Sequence, residues 1–181
     1  EVVDSESNRP VPLVELRTVA GQTFITDNAG LVAFEEPGFM DREIYFHLSS
    51  HGYEFPKDGF GYRGKRLRTT PGKTERLELK RLNIAERLYR VTGAGLYGEA
   101  AKAGQTDFPV KQPQLNRDVV GCDSVLTAVY RDRLYWFWGD TSRITYPLGN
   151  FHTTGAVSKL PAGGTDPERG IDFQYFAGDK N

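Results

Sequence analysis

Two apolar segments joined by two charged residues constrain this chain more than anything else in it. "DSVLTAVY" (residues 123–130) and "RLYWFWGD" (residues 133–140) flank Arg131-Asp132. A connection of two residues makes the chain reverse on itself, and β-branched and aromatic side chains fit a pleated surface, so this stretch reads as a β-hairpin. Both arms are apolar at nearly every position, the pattern of strands covered on both faces. Downstream, "GAVSKL" and "IDFQYFAG" offer two further strands. The aromatic arm then stops at Gly139-Asp140-Thr141, on a carboxylate.

The first part of the chain shows a different pattern. "VELRT" (14–18) and "TERLELKRL" (74–82) alternate apolar and polar residues, which is the signature of half-buried strands. "TFITDNAGLVAF" (23–34) reads as two short strands around Asp27-Asn28-Ala29-Gly30, a turn of residues that tolerate positive φ. "EIYFHLSSHGY" (43–53) is a β-rich run closed by Gly52. Residues 1–82 are therefore expected to form a small β-sandwich. Ile84, Leu88 and Val91 then fall at helical spacing and predict a short helix. It opens a connector over 83–117, punctuated by Gly93, Gly95, Gly98 and Gly104 and stiffened by Pro109 and Pro113. Residues 118–181 hold the hairpin and its companions. The fold class is all-β.

Bulk properties narrow the partners. A net charge of -1 gives no general electrostatic case for nucleic acid or an anionic membrane. No stretch approaches the roughly 18 consecutive apolar residues of a membrane span. Cys122 is the only cysteine, so neither an internal disulfide nor a cysteine zinc site can form. His47 and His51 share a strand face but lack a third ligand nearby, and Gly93, Gly95 and Gly98 do not follow a parallel-strand pattern. Neither a metal nor a cofactor is expected. A start at Glu1 is compatible with a removed signal peptide, and the ending on a strand-like run suggests a piece of a longer polypeptide.

Two resemblances add to this reading. "VVDSESNRPVPLVELRTVAGQTFITDNAGLVAFEEP", followed by "HGY", resembles the carboxypeptidase-regulatory-like, or transthyretin-like, β-sandwich family over roughly the first 80 residues. That resemblance implies a structural or adhesive module, often appended to secreted enzymes, without catalytic residues of its own. "GCDSVLTAVYRDRLYWFWGDT" resembles the first blade of the five-bladed β-propellers of several glycoside hydrolase families. The longer run through "GAVSKLP" is similar to secreted bacterial proteins of this propeller type. A propeller needs roughly four to eight blades, so one blade would depend on the remainder of the propeller or on another chain. The catalytic acid and the transition-state-stabilising carboxylate of such enzymes lie on later blades, which this chain does not contain.

The candidate site gathers around the hairpin's open end. On the propeller resemblance Asp123 is a general base or nucleophile toward a sugar; on its own sequence it caps a turn. Asp140 with Arg143 suits sugar hydroxyls or a sugar carboxylate, one accepting and the other donating in a fork, and equally suits a surface turn. Trp136 and Trp138 are either core or the cover of a sugar's apolar face. In the loop "YPLGNFHTT", Asn150 and His152 are further candidate contacts. Counting outward from Arg131-Asp132 places Asp123 within a residue or two of Asp140, so the two candidate catalytic carboxylates and Arg143 are expected to converge beside indole rings, a place for acid-base chemistry. The expected function is the N-terminal part of a secreted or cell-surface carbohydrate-active, glycoside hydrolase-like protein acting on a polysaccharide or glycan. The alternative is a non-catalytic carbohydrate-binding or adhesion module.

Overall fold

A computed structural model describes residues 1–147, 153–160 and 170–178. The chain is all-β apart from short helical pieces, and it forms two compact units. One comprises Glu1–Leu88 with Glu99–Gly104, the other Tyr89–Gly98 with Gln105–Asn181. The residues expected as a connector are thus shared between the two.

In the first unit, β1 (Val2–Asp4), β2 (Glu15–Thr18), β3 (Thr23–Ile25), β4 (Glu43–Ser49), β5 (Tyr53–Glu54), β6 (Gly64–Arg68) and β7 (Leu77–Arg81) form two sheets. Their orders are β3-β2-β4-β6 and β1-β7-β5. The alternation legible in the sequence is the alternation of burial: Val14, Leu16 and Thr18 point inward, as do Leu77 and Leu79, while Arg17, Glu78 and Lys80 face solvent. Val14, Leu16, Leu77 and Leu79 join Val2, Val11, Phe46, Leu48 and Tyr53 in one apolar cluster shared by both sheets. The Asp27 turn is built from its own side chain. Asp27 Oδ1 accepts the N–H groups of Ala29 (2.9 Å) and Leu31 (3.3 Å), and Gly30 takes φ +65°.

Two local expectations are corrected. Only the first strand of the pair around Asp27 forms; residues 31–34 join no ladder. Part of their backbone is bonded elsewhere, with Leu31 O accepting from Asp27 N (3.1 Å) and Ala33 N donating to Glu99 Oε2 (3.0 Å). The helix expected over Ile84–Val91 is also absent. Ile84 is 100% exposed, so no apolar face rewards helix nucleation there. Arg87 instead pins the segment to its neighbours: its guanidinium donates to Pro12 O (2.6 Å), Ser50 Oγ (3.0 Å) and His51 O, and its N–H donates to the Tyr53 hydroxyl. The α-helix lies later, as α1 (Gly98–Lys102). There the good helix formers Ala100 and Ala101 sit between Glu99 and Lys102, an i,i+3 ion pair at 2.6 Å. Asp27 Oδ2 accepts the Ala100 N–H at 2.7 Å.

The second unit contains the hairpin. β9 (Val125–Tyr130) and β10 (Arg133–Trp138) pair in the expected register, Tyr130 opposite Arg133 and Val125 opposite Trp138. The connection has φ +48° at Arg131 and +56° at Asp132, two successive left-handed residues whose twist matches that of the strands. β12 (Thr154–Lys159) and β13 (Gln174–Tyr175) follow, giving a four-stranded antiparallel sheet in the order β13-β12-β10-β9. β8 (Val119–Cys122) and β11 (Thr141–Arg143) form a separate two-stranded ladder at the hairpin's open end. Trp138, only 5% exposed, packs with Val119, Ala156, Phe173 and Tyr175.

The expectation that both arms are covered on both faces holds only in part. β10 lies between two strands and is half-covered. β9 is an edge strand, exposed at every residue, with Leu126 at 76% and Val129 at 65%. An apolar run signals coverage only where a second layer exists to supply it, and among the described residues none lies over β9.

Candidate functional site

The two-residue turn sets the ladder, and the ladder brings Asp123 and Asp140 to the same end. Asp123 N donates to Asp140 O at 2.8 Å, and Gly139 N to Asp123 O at 3.0 Å. The two backbones are therefore bonded to one another. The Asp123 carboxylate turns back on its own loop: Oδ1 accepts the N–H of Ser124 at 2.6 Å and lies 3.4 Å from its hydroxyl. This bond supports Ser124 at φ +50°, a left-handed conformation that costs a non-glycine residue free energy. Asp123 is exposed and Asp140 half-buried.

Trp136 and Trp138 point into the unit's core. Their rings stack at 6.0 Å, and both meet Phe173 edge-on. Trp136 Nε1 donates to Ser158 Oγ at 2.9 Å, satisfying the indole inside the sheet. Asn150 and His152 lie outside the described residues. Cys122 packs beside this core, where burial pushes its thiol up despite a bond from the Thr141 hydroxyl. Such a thiol is not a ready nucleophile. Burial, and then the neighbouring Cys122, push the Tyr175 phenol well above its usual range, so it stays protonated. Among the described residues no group of three His, Cys, Asp or Glu side chains could hold a metal ion, and no helix is long and apolar enough to cross a membrane.

Arg143 belongs to a different neighbourhood from the paired aspartates. It lines a cleft of about 510 Å³ together with Arg117, Thr141, Thr154, Phe137 and Phe176. That volume suits a few sugar rings or a comparably sized ligand. Local backbone chemistry builds each wall. Arg117 and Asp118, at φ +52° and +61°, are the centre of a tight turn closed by Val119 N donating to Asn116 O at 3.1 Å. The β8–β11 ladder then slips between Ser142 and Arg143, a bulge that re-aims the strand. Gly155 is needed opposite: a Cβ there would stand 2.7 Å from the Phe176 ring, so only glycine lets that ring lie against β12. Among the described residues no carboxylate lines the cleft and neither arginine carries an ion pair.

The sequence pointed to Arg143 but missed Arg117, Phe137 and Phe176. The tight-turn residues around Arg117 were a visible signal; its meeting with Arg143 depends on the β8–β11 pairing. No protein-family model matches this chain, and neither a curated protein nor a solved structure matches it.

Proposed function

We propose that the second unit is a glycan-binding β-module of a secreted or cell-surface carbohydrate-active protein, and that its ligand is an acidic oligosaccharide held in the Arg117–Arg143 cleft. The observation that carries this reading is two guanidinium groups, without acid partners among the described residues, facing a cleft that also offers threonine hydroxyls and aromatic rings. Each guanidinium can fork onto a sugar carboxylate, the hydroxyls serve the ring oxygens, and Phe137 and Phe176 offer apolar faces to the C–H side of a sugar. Binding rather than hydrolysis is favoured because the Asp123 carboxylate is engaged by Ser124. The hydrolytic reading keeps one supporting observation, the backbone-bonded Asp123–Asp140 pair at a single rim.

Titration calorimetry of the 181-residue chain with a uronic-acid oligomer and a neutral oligomer of equal length tests this reading. The acidic ligand is expected to bind, and Arg117→Ala or Arg143→Ala to weaken it on the order of tenfold or more, as loss of a charge-assisted bond does. Equal affinity for the neutral oligomer, or indifference to both substitutions, would sink the proposal. Release of reducing ends that is lost in Asp123→Asn would favour the hydrolytic reading instead.

A further inference from the structure

We infer that the chain pairs with a second copy of itself through β9, strand edge to strand edge, in one defined register. This goes beyond the glycan reading and does not depend on it. Natural edge strands are usually protected by a lysine, a proline, a bulge or an inward charge. β9, "VLTAVY", carries none of these, and Val125, Leu126, Val129 and Tyr130 are exposed together along it.

The hydrogen-bond parity of the hairpin restricts how a partner can add. A two-residue turn of this type closes on a hydrogen-bonded pair, here Tyr130 with Arg133. Alternate residues therefore bond to β10: Tyr130, Ala128, Leu126 and, continuing the ladder, Ser124, whose carbonyl accepts Gly139 N at 3.1 Å. The N–H and C=O groups of Val125, Thr127 and Val129 consequently face the open edge. A two-fold-related copy must match odd-numbered residues with odd-numbered residues. The register centred on Thr127 engages all three: Val125 opposite Val129 of the second copy, Thr127 opposite its own counterpart, and Val129 opposite Val125. A slip by two residues in either direction loses part of that overlap.

The same register answers for charge and shape. It sets Asp123 opposite Arg131 of the second copy at one end, and Arg131 opposite Asp123 at the other. Both residues are exposed in the single chain. Leu126 falls opposite Ala128, a large residue beside a small one. The operation is closed, because each copy spends its only β9 edge, so the product is a dimer and not a fibre.

The test uses the whole chain with Cys122→Ser as background. In light scattering coupled to gel filtration, the chain is expected to pass from monomer to dimer as concentration rises. Thr127→Pro removes only an outward-facing N–H, a place where an edge strand tolerates proline, and is expected to return the chain to monomer with an unchanged circular dichroism spectrum. Opposed Thr127 residues would lie about 5.5 Å apart at Cα, within disulfide reach. Thr127→Cys should therefore cross-link to a dimer on mild oxidation. Leu126→Cys or Ala128→Cys alone should not, while an equimolar mixture of those two should. A monomer at every concentration, open-ended aggregation without a dimer, or equal cross-linking by all three single variants would each overturn the inference.

Discussion

The two units use strands to opposite ends. In the first, each strand presents one apolar face, and nine buried residues from both sheets meet in a single cluster. In the second, the apolar strand β9 is exposed at every residue, and among the described residues the core contracts to five buried residues around Trp138. The difference teaches that alternation, not apolar content, reports a finished core. A strand written in period two has already declared which face is inside. A strand apolar on both faces declares only that something should cover it.

If that contrast is right, the second unit concentrates its stability in one side chain while the first spreads it. Trp138→Ala should produce the largest effect, a loss of about 3–5 kcal/mol. It removes the ring that stacks on Trp136 and meets Phe173 and Tyr175. Leu79→Ala, in the larger cluster, should cost about 2–5 kcal/mol. Chemical denaturation followed by near-ultraviolet circular dichroism separates the two; a Trp138→Ala loss below that of Leu79→Ala would break the comparison.

A second difference concerns how each unit employs an aspartate at a turn. Asp27 is buried and accepts three backbone N–H groups, from Ala29, Leu31 and Ala100. Asp123 is exposed and, among the described residues, accepts from Ser124 alone. Asp27→Asn must turn an N–H₂ group toward at least one of those donors, so a loss of about 1–3 kcal/mol is expected. Burial, working against those N–H bonds, raises the Asp27 carboxyl above 3.8. The folded chain then holds this proton more tightly than the unfolded chain. Asp27's contribution is present below 3.8 and is lost as pH rises through the folded value. Urea midpoints measured across that window should show a falling contribution that Asp27→Asn abolishes. An unchanged slope in the variant would assign the pH dependence to other groups.

What the sequence made legible follows the same division. Val14, Leu16, Leu77 and Leu79 were readable because period two and burial on one shared core are the same fact. The Tyr130–Arg133 pairing, and with it the meeting of Asp123 and Asp140, was readable because a two-residue turn fixes register locally. Ile84, Leu88 and Val91 misled because helical spacing carries no information about whether a surface exists to receive it. The helix at Gly98–Lys102 was missed among the glycines because its decisive partner, Asp27, lies over 70 residues away in sequence. The cleft escaped notice for a related reason. Arg117 and Arg143 come together only through a ladder between β8 and β11, two short strands without a strong apolar pattern.

The smallest expected effect gives the sharpest test of the contrast. Leu126 is 76% exposed, so Leu126→Ser removes almost no buried surface from a single chain. In dilute solution, where the chain is monomeric, the change should stay within about 0.5 kcal/mol, as for an ordinary surface substitution. An apolar residue of the first unit's inner face could not be replaced so cheaply. Should β9 pair with a second copy, the same substitution would acquire a cost that grows with protein concentration, because Leu126 then lies beside Ala128 of the other chain. Melting wild type and variant side by side over roughly a hundredfold concentration range, a span wide enough for mass action to show, reads both quantities. A dilute-limit loss above about 2 kcal/mol would mean that β9 is already covered within one chain, and the opposition between a finished and an unfinished sheet would fail.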